Sequence, residues 1–150
     1  MEETLGREIH GASRQGGSLS LVMLDVDHFK PYNDRYGHEA GDALLRELGV
    51  WLASQLRQGD VPCRYGGEEF VLILPGASLE GTRARAERLR EAVRLLRVQH
   101  RDQALDPITV SLGIASYPLH GATADALLRA ADLALYRAKA DGRNRVGVPA

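Results

Sequence analysis

Apolar positions along this chain follow two rhythms. Leu19 to Val26 is a near-continuous apolar run, the pattern of a central strand covered on both faces. From Gly37 to Leu56 the residues Ala40, Leu44, Leu45, Leu48, Leu52 and Leu56 keep a helical period, which Gly59-Asp60 ends. Val61 to Tyr65 and Glu69 to Leu74 read as the arms of a hairpin, and Pro75-Gly76 breaks the second arm. The next helix, capped by Ser78 or Thr82, runs to about Val98 with Ala86, Leu89, Val93 and Leu96 inward. Gln99 to Asp106 is polar and reads as a loop. Ile108 to Ala115 is rich in β-branched residues and reads as a strand. A helix from Thr123 to Ala140 closes at Gly142, and Val146 to Val148 adds a short edge strand. Upstream, Glu2 to Ile9 has helical character without an opening cap, and Ser13 to Ser18 is a Gly/Ser-rich loop. Pro31 to Tyr36 reads as a short helix or turn.

The predicted order is β-α-β-β-α-β-α-β, an α+β chain with a βαββαβ core. That core matches the ferredoxin-like split arrangement of polymerase palms and nucleotide cyclases: a central antiparallel or mixed sheet flanked by helices, expected on one face. Residues 1–150 form one domain, and their composition is ordinary for a globular chain, 44% hydrophobic and 26% charged. The uncapped N-terminal helix reads as the end of a longer one, so the chain is expected to be a fragment of a larger protein.

Charge and cysteine content narrow the chemistry. A formal net charge of -1 gives no bulk attraction for DNA or RNA, so any polyphosphate must meet a local cluster. The single cysteine, Cys63, forms no internal disulfide and no thiolate zinc site. No apolar run approaches the roughly 18 residues of a membrane span and no signal peptide is evident, which reads as a cytoplasmic chain. A Gly-x-x-x-x-Gly-Lys-Ser/Thr phosphate loop, a Gly-x-Gly-x-x-Gly motif, a serine elbow and a His-Glu-x-x-His pattern are all missing.

What remains is acid at strand ends. Asp25-Val26-Asp27 ends the first apolar run, and in a strand Asp25 and Asp27 share a face. Arg64-Tyr65-Gly66-Gly67-Glu68-Glu69-Phe70 puts two glycines and two carboxylates at a hairpin tip. Alone, an Asp-x-Asp is often a turn device. Taken with Glu68 and Glu69 on a neighbouring strand, it points to a hard divalent cation. Asn33 and Asp42 offer an amide and a carboxylate suited to a guanine edge; each alone is also an ordinary helix-end or solvated residue. His38 is either a further member of that face or a packed core residue. Lys139 and Arg143, at the end of the last helix, answer either the helix dipole or a triphosphate. Arg57 and Asp60, with Arg88 on the next helix, form either a surface ion pair or a nucleotide grip.

The ordered set resembles the GGDEF family of diguanylate cyclases. It runs through Asp25-Val26-Asp27-His28-Phe29-Lys30, Asn33-Asp34, Gly37-His38, Gly41-Asp42, the Gly-Gly-Glu-Glu-Phe segment, Val110-Ser111-Leu112-Gly113, Ala134 to Lys139 and Gly142-Arg143-Asn144. The resemblance implies condensation of two GTP to cyclic di-GMP with release of two pyrophosphates. It implies two Mg²⁺ (or Mn²⁺) per site, held by Asp25, the Val26 carbonyl and Glu68. Glu68 is also the implied proton acceptor, with Glu69 supporting the catalytic site. Asn33 and Asp42 are implied to recognise guanine. Main-chain groups at His28 and Phe29, with Lys139 and Arg143, are implied to hold phosphates. Arg57, Asp60 and Arg88 match an inhibitory product site. Catalysis then needs a second such domain facing the first, as a homodimer, and the parent is expected to be a signalling protein. A silent cyclic di-GMP receptor is the alternative. The family's Asp-x-Leu-Thr-Gly-Leu-x-Asn-Arg segment does not precede the first strand.

Overall fold

The computed structural model describes residues 1–150. Its elements, in order, are α1 (Glu2–Gln15), β1 (Leu19–Val26), α2 (Phe29–Tyr36), α3 (His38–Ser54), β2 (Val61–Arg64), β3 (Glu69–Pro75), α4 (Leu79–Val93), β4 (Gln99–His100), β5 (Gln103–Ala104), β6 (Val110–Tyr117), α5 (Ala124–Ala140) and β7 (Val146–Gly147). The main sheet has the order β2-β3-β1-β6-β7. Strand β1 runs antiparallel to both β3 and β6, and only β7 is parallel to its neighbour. This is the split βαβ arrangement expected from the sequence, with β1 at the centre.

All eight residues of β1 are buried, as the apolar run requires, and alternation sends them to two cores. Val22, Leu24 and Val26 meet Leu44, Leu48 and Leu52 of α3 and Ala86 and Val93 of α4. Leu19, Leu21 and Met23 meet Leu5 and Ile9 of α1 and Leu127, Ala131 and Leu135 of α5. Helices therefore cover both faces of the sheet, not one. The cause is the pair of helices outside the βαββαβ core: α1 and α5 both carry apolar faces that need burial.

Other departures are local. Gln99 to Asp106 is not a plain loop: β4 and β5 pair as a two-stranded ribbon. Its turn uses Arg101 and Asp102 at positive φ (51° and 64°), so no glycine marks it in the sequence. The helix expected to reach Val98 stops at Val93, and β6 starts two residues later than expected. Ser78, not Thr82, caps α4, its hydroxyl accepting from Gly81 N–H at 3.0 Å. No helix is long and apolar enough to cross a membrane.

One close approach sets the position of α5. A Cβ on Gly113 of β6 would lie 2.2 Å from the Ala131 carbonyl oxygen and 2.4 Å from the Leu135 nitrogen. The backbone of α5 thus rests directly on β6. Its C-terminus is closed by paired bonds, Arg143 N–H to the Ala138 carbonyl (3.0 Å) and Gly142 N–H to that of Lys139 (3.3 Å). Together these bring Lys139 and Arg143 to the acidic end of β1.

Candidate functional site

Three elements meet where β1 ends. The register pairs Asp25 of β1 with Glu69 of β3 on one side and Ser111 of β6 on the other. One step further, Val26 N–H donates to the Glu68 carbonyl at 3.3 Å. The two acidic segments therefore lie side by side at the same end of the sheet. Asp25 is buried, and its carboxylate accepts from Lys139 Nζ at 2.7 Å. Lys139 was expected to face phosphates; here its partner is a carboxylate of the same site. Its side chain is 31% exposed, whereas that of Asp25 is 5% exposed.

Negative charge is crowded at this point. Burial, and then the adjoining Asp25 carboxylate, push the Glu69 carboxyl above the usual carboxylate range, although Lys139 pulls it back. No three histidine, cysteine or carboxylate side chains converge into a closed cage. The donors present, two carboxylates and a carbonyl, are nonetheless the hard oxygens that Mg²⁺ takes when substrate phosphates and water complete its shell. Asp25, the Val26 carbonyl and Glu68 could hold such an ion, and a cation would ease the Asp25 charge that, after burial, raises Glu69.

Asp27 is not part of this group. Its buried carboxylate accepts from Thr109 Oγ1 and Ser111 Oγ, both at 2.7 Å, and from Asn144 N–H at 3.0 Å. These partners lie 82, 84 and 117 residues away along the chain, so Asp27 is a long-range tie between the end of β1, β6 and the segment after α5, not the local turn device that an Asp-x-Asp pair suggests.

Beyond β1, His28 sits at φ 56° and opens α2 without a side-chain cap. The first N–H groups of α2, at and after Phe29, thus start beside the acidic cluster. Phe29 is half-buried, and packs with Tyr32 against the α3 side of the core. Further along α2, Asn33 lies against Gly41 of α3; a Cβ there would fall 1.7 Å from Asn33 Oδ1. A side chain at position 41 would force Asn33 out of this place. The crossing places Asn33 next to Asp42, which is exposed. Asn33 Oδ1 is buried and has no hydrogen-bond partner. His38 is exposed and belongs to neither core.

A second cluster lies at the β2 end of the sheet. Asp60 Oδ2 accepts from Arg57 N–H at 2.9 Å and from Arg85 at 2.9 Å. The partner of Asp60 is therefore Arg85, with both side chains largely buried (14% and 5% exposed). Arg88, one turn on, lines a 210 Å³ hollow with Arg85, Gln55 and Leu89, while Arg57 is exposed. Sequence reasoning missed Arg85. The available signal was its spacing of three from Arg88, which puts both on one helical face.

Comparison with known proteins follows this geometry. The family described as "Diguanylate cyclase, GGDEF domain" matches residues 1–145. The response regulator PleD of Caulobacter vibrioides is 44% identical over 137 residues, covering 90% of this chain and 30% of PleD. Diguanylate cyclase DgcP of Pseudomonas aeruginosa is 44% identical over 148 residues, 99% of this chain and 22% of DgcP. The chain thus spans less than a third of the length of these relatives. Among solved structures, the GGDEF domain of DgcB from Caulobacter crescentus, in complex with c-di-GMP, superposes with a TM-score of 0.91 at 33% identity, covering 98% of this chain and 84% of that one.

Proposed function

The chain belongs to the GGDEF family, and from that premise we propose that it is the catalytic domain of a diguanylate cyclase within a longer signalling protein. Two GTP molecules condense to cyclic di-GMP. In each half-reaction the ribose 3′-oxygen forms a bond to the α-phosphorus of the other GTP, the α–β phosphoanhydride bond breaks, and pyrophosphate leaves. The observation that carries this reading is the register setting Asp25 opposite Glu69, with Glu68 bonded through its carbonyl to Val26.

Asp25, Glu68 and the Val26 carbonyl would hold two Mg²⁺ or Mn²⁺ ions, which favour the 3′-alkoxide and offset charge on the phosphates. Glu68 accepts the 3′-hydroxyl proton. Glu69, its carboxyl raised above the usual range first by burial and then by the adjoining Asp25, supports Asp25 from the neighbouring strand. Lys139 moves between Asp25 and the phosphates, and Arg143 and the N–H groups at His28 and Phe29 hold the phosphate oxygens. Asp42 accepts from guanine N1–H and N2–H, and the orphaned Asn33 amide completes the edge.

One domain holds one GTP, so a second copy must face the first and supply the other nucleophile. Orientation by a dimer then takes the place of an encounter between free nucleotides. Arg57, Asp60 and Arg88 form the product-inhibition site, with Arg85 holding Asp60 in place.

Substrate choice and Glu68 test the reading together. The domain should turn over GTP and leave ATP untouched, and Glu68→Gln should bind GTP without turnover. A domain that binds cyclic di-GMP without Mg²⁺ yet leaves GTP intact at every protein concentration is a receptor, and the catalytic assignment then fails.

A further inference from the structure

Arg143 and Asn144 are consecutive residues at positive φ, 65° and 49°. Side chains disfavour that conformation, and Asn tolerates it better than Arg. Something must therefore hold the segment. The Arg143 N–H is used by the end of α5, bonding the Ala138 carbonyl at 3.0 Å. Asn144 is gripped from two other elements. From below, its N–H donates to the buried Asp27 carboxylate at 3.0 Å and to Ser111 Oγ at 3.2 Å. From the side, Arg90 of α4 donates to Asn144 Oδ1 at 2.8 Å and to its carbonyl at 3.4 Å. Arg90 is itself fixed by Glu87 and Glu91 and is largely buried, 12% exposed.

This arrangement has a direction. Asp27 lies one residue past the end of β1 and two after Asp25, and its own N–H bonds the Thr109 carbonyl at 2.9 Å, so the base of the grip is tied to the acidic end of the strand. Arg90 closes the grip from a helix that contributes nothing to the phosphate site itself. We propose that Asp27 and Arg90 are positioning residues: through Asn144 they fix the loop that presents Arg143 to the triphosphate. The role rests on the functional reading above and concerns phosphates alone, because the guanine-facing residues Asn33 and Asp42 lie on α2 and α3.

The test separates the two ends of the nucleotide. A non-reactive GTP analogue and guanosine are titrated by NMR into the wild-type domain and into Arg90→Ala, Arg90→Lys and Asn144→Gly. The glycine keeps the positive φ, the N–H bond to Asp27 and the carbonyl that Arg90 also reaches, and removes only the Oδ1 contact with Arg90. Losing a hydrogen bond from a charged donor should weaken analogue binding by about tenfold in Arg90→Ala and Asn144→Gly. Guanosine affinity should stay within about twofold, and Arg90→Lys should recover part of the loss. Equal losses for both ligands, or wild-type affinity for the analogue, overturn the positioning role. A wild-type domain that binds neither ligand overturns the functional reading and this role with it.

Discussion

Placing a methyl group on Gly113 tests how the sheet positions the site. The added Cβ would meet the Ala131 carbonyl oxygen at 2.2 Å, the Leu135 nitrogen at 2.4 Å and the Leu135 Cα at 2.9 Å. All three are helix backbone, so no side chain can swing away. Restoring ordinary contact requires α5 to retreat by about 1 Å from β6. Overpacking of this kind costs about 3 kcal/mol, at the upper end of its usual range. For a domain of this size that lowers Tm by about 6–12 °C. The same retreat lifts Lys139 from Asp25, so GTP affinity should fall as well. Gly6→Ala is the paired control: nothing lies within 4 Å of its Cβ, and it sits inside α1. Helix propensity favours alanine there by about 1 kcal/mol, so Tm should rise by about 2–4 °C. Thermal melts followed by circular dichroism give both signs. A Gly113→Ala variant that melts at or above the wild type would refute the direct seating of α5 on β6.

The other predictions concern buried polar groups. The Tyr32 hydroxyl is buried without a partner, so Tyr32→Phe should raise stability by up to about 1 kcal/mol at neutral pH, read by urea denaturation. Burial also pushes the Tyr32 hydroxyl up to about 12 from an ordinary 10.0. The unfolded chain then loses this proton first, so the wild type should lose stability between pH 10 and 12, and Tyr32→Phe should lose less; parallel pH profiles would contradict this. Arg85→Ala leaves Asp60 buried without its cation and should destabilise by about 3 kcal/mol, whereas Arg88→Ala should change stability by no more than about 0.5 kcal/mol, both measured by urea denaturation. Both variants should relieve inhibition by cyclic di-GMP; relief by neither would remove this cluster from regulation.

Much of the fold was legible because burial leaves periodic marks. The run at Leu19–Val26 announced a strand covered on both faces, and that same fact implied helices on both sides of the sheet, which the ferredoxin-like comparison obscured. The meeting of Asp25 with the Glu68-Glu69 pair was legible because both lie at ends of apolar runs that pair. What the sequence hid depends on distance along the chain. Asp27 finds its partners at Thr109, Ser111 and Asn144, and Arg90 finds Asn144, with no local pattern linking them. Arg85 was hidden among the many arginines of α4, where spacing alone does not say which one reaches Asp60. The importance of Gly113 lay in a tertiary contact, since its own strand would accept any small residue.

The most direct test of the catalytic proposal is mass analysis of nucleotides after incubating this domain with GTP and Mg²⁺ over a range of protein concentrations. The account predicts cyclic di-GMP and pyrophosphate in a ratio of about one to two. Yield per protomer should climb as the protein is concentrated or fused to a dimeriser. Unchanged GTP at the highest concentration and in the fused dimer, or a yield per protomer that stays flat on dilution, would contradict a reaction shared between two facing domains.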